Sequence, residues 1–580
     1  MAVAPETIDR EKKRSWMKVQ DPILIGVGFI TGLALFFILV EVSVLTLGAF
    51  RSSMLFEPGI FTLQNFREIL ASPDFVTVAR NTAALGLGTT IIMLGWAVPF
   101  VWLYTRTDLP GKNLFIVLLT IQIAVPSFLI ALGYIFFVNP TSGILNRWLM
   151  AGFGLSQPPL NIYGLGWIIF LQGTALATPA FFMMAPAFQA LDSALEESAY
   201  TSGIRKGRVF FRITLPLLWP TLLTAFLYYM IIAMEIFDYA GMLGLPVGVH
   251  VLATWIFELV NPPSGLPRYN EAAAIGFLFS VFGGMLMLLY FWMLRRSERF
   301  AVVTGKRGPR RATKLGRTGI YVAWTAIIAY AVLEFVLPVF MLVWASLLPY
   351  LQPPSLAAFK SMTLEGYRQA IRELPQLLKN TIQVAVAVPT ISVIVAACLS
   401  WVMVRTKMRS RRLIELMVVC SIGVPSIVGA LAFMYFGLSI FRLVPIYTTV
   451  WIIVMAMATR YLVWGTRTIN SSMMQIHREL EEACFISGVR RGRAFLSVIL
   501  PVVKPALIFS WFWIALLSLR ELTIPIMLSR NETQTMSTAI WGFNASGVPY
   551  VAAALGVILL LIVFTMVLLF QKFVGKGEFG

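Results

Sequence analysis

The chain has 580 residues, of which 58% are hydrophobic and only 13% charged, with a net charge of +19 and a mean hydropathy of +0.81. Soluble domains carry about a quarter charged residues, so this balance excludes an ordinary soluble protein and points to an integral membrane one. The basic excess does not mark a nucleic-acid binder either, because it is confined to particular gaps between apolar segments.

A bilayer core about 30 Å thick needs about 20 apolar residues of helix. Taken in chain order, twelve segments qualify, at 22–48, 79–105, 113–138, 164–188, 213–240, 272–295, 319–347, 380–404, 411–438, 447–470, 502–528 and 549–574. The tenth and eleventh are interrupted by polar residues. The first is too long for the apolar core of a cleavable signal peptide and reads as a retained helix. Basic residues precede the first span (Arg10, Lys12, Lys13, Arg14, Lys18) and fill the even-numbered gaps: Arg106 and Lys112, Arg205 to Arg212, Arg295 to Arg317, Arg405 to Arg412, and Arg490 to Arg493. Lys572 and Lys576 close the chain. The positive-inside rule makes that side the cytoplasm and places both termini there. Membrane lipid headgroups would be drawn to the same clusters.

Cys398, Cys420 and Cys484 show no metal spacing, and His250 and His477 have no second ligand in sequence, so no metal site is expected.

The twelve spans form two six-span units. Asn81 matches Asn380, Trp102 to Thr107 (WLYTRT) matches Trp401 to Thr406 (WVMVRT), and Val125-Pro126-Ser127 matches Val424-Pro425-Ser426, all 299 positions apart. After a deletion placed in the loop around 139–163, Leu195 to Pro220 (LEESAYTSGIRKGRVFFRITLPLLWP) matches Leu480 to Pro505 (LEEACFISGVRRGRAFLSVILPVVKP), now 285 apart. Glu235 then pairs with Glu521 and Trp255 with Trp541, 286 apart. Six spans is an even number, so both copies enter from the same side as a parallel repeat. The expected organisation is a first half at 1–295 with its polar motif at 195–220, a basic cytoplasmic linker at 296–318, and a second half at 319–580 with its motif at 480–505.

Both polar motifs fall in a cytoplasmic gap after the fourth span of their unit. Residues 191–203 read as a short helix with Ala194, Ser198 and Ser202 on one face, and the second copy carries Ala483 and Ser487 there. Gly203 and Gly488 can take positive φ and end it. The surface is small and polar, with carboxylates that anionic headgroups would repel, which favours docking to a protein over lying on lipid.

The motif resembles the EAA motif of permease subunits of type I ABC importers. It appears as Glu197-Ser198-Ala199, Gly203 and Ile213-Thr214-Leu215-Pro216, and again as Glu482-Ala483-Cys484, Gly488 and Val498-Ile499-Leu500-Pro501. Ser and Cys replace Ala, and Val replaces Ile. The resemblance implies coupling helices that insert into two cytoplasmic ATPase subunits, a periplasmic or extracellular solute-binding protein on the other side, and an inner-membrane location in a prokaryote. It implies solute import by alternating access.

The chain lacks a GxxxxGK[ST] phosphate loop, so it is expected to be no enzyme and to bind no cofactor. ATP and magnesium belong on the partner.

Charged residues inside spans are candidates for the path. The acidic ones are Glu41, Glu235, Asp238, Glu334 and Glu521. Glu235 and Glu521 are repeat-equivalent and with Asp238 and Arg520 form the expected path. Two facing carboxylates would favour a cationic solute; the structural alternative pairs Glu521 with Arg520 or a neighbouring helix. The loops MLGLPVGVH from Met242 and MLSRNETQT from Met527 read as a gate or as plain external turns.

A single chain with two fused halves looks most like the ferric-iron group, whose relatives import thiamine, polyamines and phosphonates. Leu519-Arg520-Glu521-Leu522 resembles a signature of the iron-type permeases, with Thr523 where that signature has proline. A secondary transporter with a six-plus-six parallel repeat is the alternative class; it would leave the two docking motifs without a purpose.

Overall fold

Prolines stand at several helix breaks of this protein, although Pro99, Pro179, Pro186, Pro375 and Pro389 lie inside helices that continue through them. The computed structural model describes residues 21–54, 57–191, 199, 202–204, 206–299, 313–406, 408 and 410–578. Among these, two isolated β-bridges, Arg51–Phe61 and Thr107–Thr313, are the sole departures from helix, turn and loop. The basic cluster before Asp21, the centre of the linker at 300–312, and Glu197 and Ser198 lie outside the described residues.

Among the described residues, seven helices are long and apolar enough to cross a membrane, and up to eleven segments are if each bent pair is one span. The expected span at 113–138 is broken: Lys112–Ala124 and Ser127–Val138 meet at 91°. Pro126 stands at the break, extended and without an amide hydrogen to continue the ladder. Its repeat partner Pro425 likewise precedes Ser426–Ser439, after the shorter helix Arg411–Cys420. Val450–Met474 carries Arg460 and Arg467, so it falls below the apolarity of a clear span. The fifth and eleventh segments bend as well, by 64° between Phe210–Leu217 and Trp219–Glu235 and by 71° between Arg491–Val502 and Lys504–Arg520.

The stretches from Met242 and Met527, expected as a gate or as plain external turns, belong to short helical hairpins. Asp238–Val247 and Leu252–Val260 form one bent pair, at 69°, and Thr523–Leu528 and Met536–Ala545 form its counterpart.

A π-turn precedes a Leu-Pro pair three times: Phe210–Thr214 before Pro216, Val332–Val336 before Pro338, and Phe495–Ile499 before Pro501. In each, the amide just before the proline bonds five residues back, to Phe210, Val332 or Phe495. The widened turn moves the carbonyl four residues before the proline away from the ring that would strike it.

The two units interlock. The first helix of each reaches across while keeping its own unit's last helix: Pro22–Ala49 packs on Ser426–Ser439 as well as Tyr269–Arg299, and Leu337–Ser346 packs on Ser127–Val138 as well as Pro549–Glu578. Glycines allow the close approach. A Cβ on Gly133 would lie 2.6 Å from the Pro338 carbonyl oxygen, and one on Gly429 would strike the Glu41 carboxylate.

Candidate coupling segments and translocation path

The second coupling segment is described in full. Glu479–Ile486 is a two-turn helix with Glu479, Glu481 and Glu482 in its first turn, where the helix dipole favours acids. It ends in a turn at Gly488, with φ of +77° and hydrogen bonds from Gly488 N to Phe485 O (3.1 Å) and from Val489 N to Cys484 O (2.9 Å). In the first copy, Ala199 is buried, Gly203 also has φ of +77°, and Ile204 N donates to Ala199 O at 3.1 Å, the equivalent bond. Nothing lies near a Cβ built on either glycine, so left-handed backbone rather than space requires glycine there. No residue of the second helix is buried: Glu482 and Ala483 are exposed, Cys484 is half-buried, and Leu480, Phe485 and Ile486 present apolar surface, Ile486 with 88% of its area exposed. Its own chain thus leaves the apolar side chains of this helix uncovered.

The repeated WxxxRT motif anchors these segments. Arg405 donates to the carbonyls of Met473 (2.6 Å) and Ile476 (2.8 Å), and its Nε lies 3.3 Å from Glu481. Arg106 donates to Leu191 O at 2.8 Å, the position equivalent to Ile476. Burial pushes the Glu481 carboxyl above the usual range, and Arg405 draws it back. Asn81 and Asn380 have a matching task on the far side. Asn81 donates to His250 O and Thr82 accepts from Leu252 N; Asn380 donates to Glu532 O and Gln534 O, and Thr381 accepts from Met536 N. The motif thus pins each helical hairpin to the second span of its own half.

The charged residues expected in the path converge where helices break. Glu235 ends Trp219–Glu235 and Arg520 ends Lys504–Arg520, with Glu521 next. Glu235 is buried and pairs with Arg460 from the middle of Val450–Met474, in the other half. The broken-helix terminus after Pro425 also points at Glu235: Ser426 donates to it from Oγ at 2.7 Å and from N at 3.3 Å. Arg460 further donates to Val424 O at 2.9 Å. Glu521 does not bond to Arg520; it accepts from Tyr461 Oη at 2.7 Å and from Ile524 N at 3.3 Å. Asp238 accepts from Ser127, the repeat partner of Ser426, and Arg520 lies in its field. Two further acids are held across the halves. Glu41 accepts from Ser421 Oγ at 3.4 Å and Glu334 from Gln122 Nε2 at 3.0 Å, and Gln122 and Ser421 are themselves repeat-equivalent. Among the described residues, no group of three or more His, Cys, Asp and Glu side chains is placed to hold a metal ion.

Glu235 and Arg460 line one end of a cavity of about 60 Å³, with Tyr228, Met287, Trp464 and Arg467. Trp464 and Arg467 follow Arg460 toward the coupling helix, so this space faces the coupling side. Beyond Glu235, the Phe237 ring packs at a tilt against Trp541 (5.6 Å) and Phe257 (5.2 Å), Trp541 coming from the other half.

A family model described as binding-protein-dependent transport system inner membrane component matches residues 69–303 and 390–576. The chain belongs to that family. The ferric transport system permease protein FbpB of Actinobacillus pleuropneumoniae is 23% identical over 96% of this chain and 79% of its own length. A putative ferric transport system permease protein FbpB 1 of Haemophilus influenzae is 24% identical over 79% of this chain and 71% of its own. A putative 2-aminoethylphosphonate transport system permease protein PhnU of Salmonella choleraesuis is 27% identical over 28% of this chain and 58% of its own. The protein is thus a fused, multi-pass inner-membrane permease of a type I ABC importer, with the family domain present twice.

Sequence reading of this permease missed Arg460, because it searched spans for acids and for repeat-matched positions. The matching residue of the first half is Ala175. The signal was present all the same, as a guanidinium in the middle of an otherwise apolar segment.

Proposed function

We propose that this permease is the membrane conduit of a ferric-iron importer, driven by two ATPase subunits, one gripped by each coupling segment. The observation that carries the iron assignment is similarity along nearly the whole chain, 96% of it, to a relative named for ferric transport; the match to the aminophosphonate relative covers 28%. In this reading a periplasmic binding protein delivers iron and supplies the selectivity. Glu197, Ser198, Ala199 and Gly203, with Glu482, Ala483, Cys484 and Gly488, form the ATPase contacts, and Pro216 and Pro501 shape the π-turns behind them. ATP and magnesium are bound by the partners. Glu235, Asp238, Arg520 and Glu521 border the path.

The test is ATPase stimulation in nanodiscs, with the permease assembled with its ATPase and binding protein. Ferric-loaded binding protein is expected to stimulate hydrolysis and 2-aminoethylphosphonate, thiamine and polyamine are not. Stimulation by an organic solute alone would discard iron and keep the importer.

A further inference from the structure

Three features meet at one point between the halves: the Glu235–Arg460 ion pair, a cavity open toward the coupling side, and the aromatic layer of Phe237, Phe257 and Trp541. Glu235 belongs to the first half and closes the helix that rises from the first coupling segment. Arg460 belongs to the second half and lies on the helix that descends to the second coupling helix. The pair therefore ties together two helices, each connected directly to a different coupling segment. Its acidic member is held by Ser426 at a helix N-terminus, and its basic member by the Val424 carbonyl just before the same break. Both partners are thus held to the one broken span, so parting them also costs the hydrogen bonds to Ser426 or Val424.

We propose that Glu235 and Arg460 are the gating residues of the transport reaction: closed, the pair ends the inner cavity and keeps Phe237 against Trp541, and it must open for solute to pass. A movement of either coupling segment pulls on one partner. Arg460 has no counterpart in the first half, where Ala175 stands, so the pair that two-fold symmetry would repeat between Glu521 and position 175 is absent and this latch is single. The inference rests on the importer assignment and not on iron. Its readout is hydrolysis with no solute present, so its failure is distinguishable from failure of the iron assignment.

The test uses the assembled permease with its ATPase in nanodiscs. Glu235→Gln and Arg460→Gln are each expected to raise basal ATPase activity severalfold and to abolish most of the further stimulation by loaded binding protein. The exchange Glu235→Arg with Arg460→Glu is expected to restore part of both. A third readout is cross-linking of Phe237→Cys with Trp541→Cys, expected to form readily in the native background and to slow when Arg460→Gln is added. Single variants that keep native basal activity, native stimulation and native cross-linking would overturn the latch. So would an exchange no better than the sum of the two single variants. Where Arg460→Gln fails to assemble, Ser426→Ala, which loosens Glu235 while keeping both charges, is read instead: raised basal activity supports the latch, and unchanged activity rejects it.

Discussion

Arg405 shows how one side chain fixes a mobile-looking element without burying it. The coupling helix contributes no buried residue of its own, so its position depends on Arg405 reaching two carbonyls and Glu481. Charged hydrogen bonds contribute about 1.5–3 kcal/mol each. Arg405→Gln is therefore expected to loosen the segment while leaving the spans folded. Cys484, a free thiol on that helix and half-buried, reports it: with Cys398 and Cys420 replaced by Ser, maleimide labelling of Cys484 should accelerate severalfold. The variant also carries a pH signature. The Glu481 carboxyl is raised by burial, so its proton is held more tightly in the folded segment than in a free one. Its contribution to stability is fully present below the ordinary carboxylate range and falls as pH rises through the raised value. Without Arg405 the shift grows. Labelling of the variant should therefore slow on acidification more than labelling of the native protein does.

At the scale of elements, the repeat reported its motifs but not their tasks. Asn81 and Asn380, Arg106 and Arg405, and Pro126 and Pro425 were all legible as matched pairs. That the asparagines pin a hairpin, the arginines a coupling segment and the prolines a broken span depends on atoms far apart in sequence, which no periodicity encodes. The prolines were matched without being read as bends. The π-turns before them were invisible, since a single extra residue per turn leaves no mark on an apolar helix. The hairpins are hidden in sequence because each helix within them is too short for a periodic signal: their first helices merge with the fifth and eleventh spans, and their turns read as a gate or as external turns. The prolines of each bend divide the work. Pro501 faces the widened turn, while Pro505 withholds the amide that would bond to the Pro501 carbonyl, and the helix breaks at Val503. Pro505→Ala returns that amide and removes the obstacle to a continuous helix. It is expected to reduce the 71° bend, shift the coupling helix and weaken ATPase retention in a pull-down. Native retention would show that packing, not the missing hydrogen bond, sets the angle.

Across the whole molecule, duplication supplied a frame that the two halves then filled differently. The reach of the first helices across the halves makes each half depend on the other, with Glu41 held by Ser421 and Glu334 by Gln122 at equivalent places. Gly133 lies at one of these crossings, against the Pro338 backbone. Overpacking at such a contact costs roughly 1–3 kcal/mol, and Gly133→Leu should lower the unfolding temperature of the purified permease accordingly. The coupling segments, in contrast, remain a matched pair, which we propose to face the ATPase subunits. If each holds its own ATPase subunit, charge reversal must act on them one at a time. Glu197→Arg alone and Glu482→Arg alone should each leave a complex with one tightly bound ATPase, inactive because hydrolysis needs both, and the double variant should leave none. Native mass spectrometry of the solubilised complex reads the stoichiometry directly. Two ATPase subunits retained by the double variant would move the docking surface off these helices and leave the Arg405 anchor as a purely structural device.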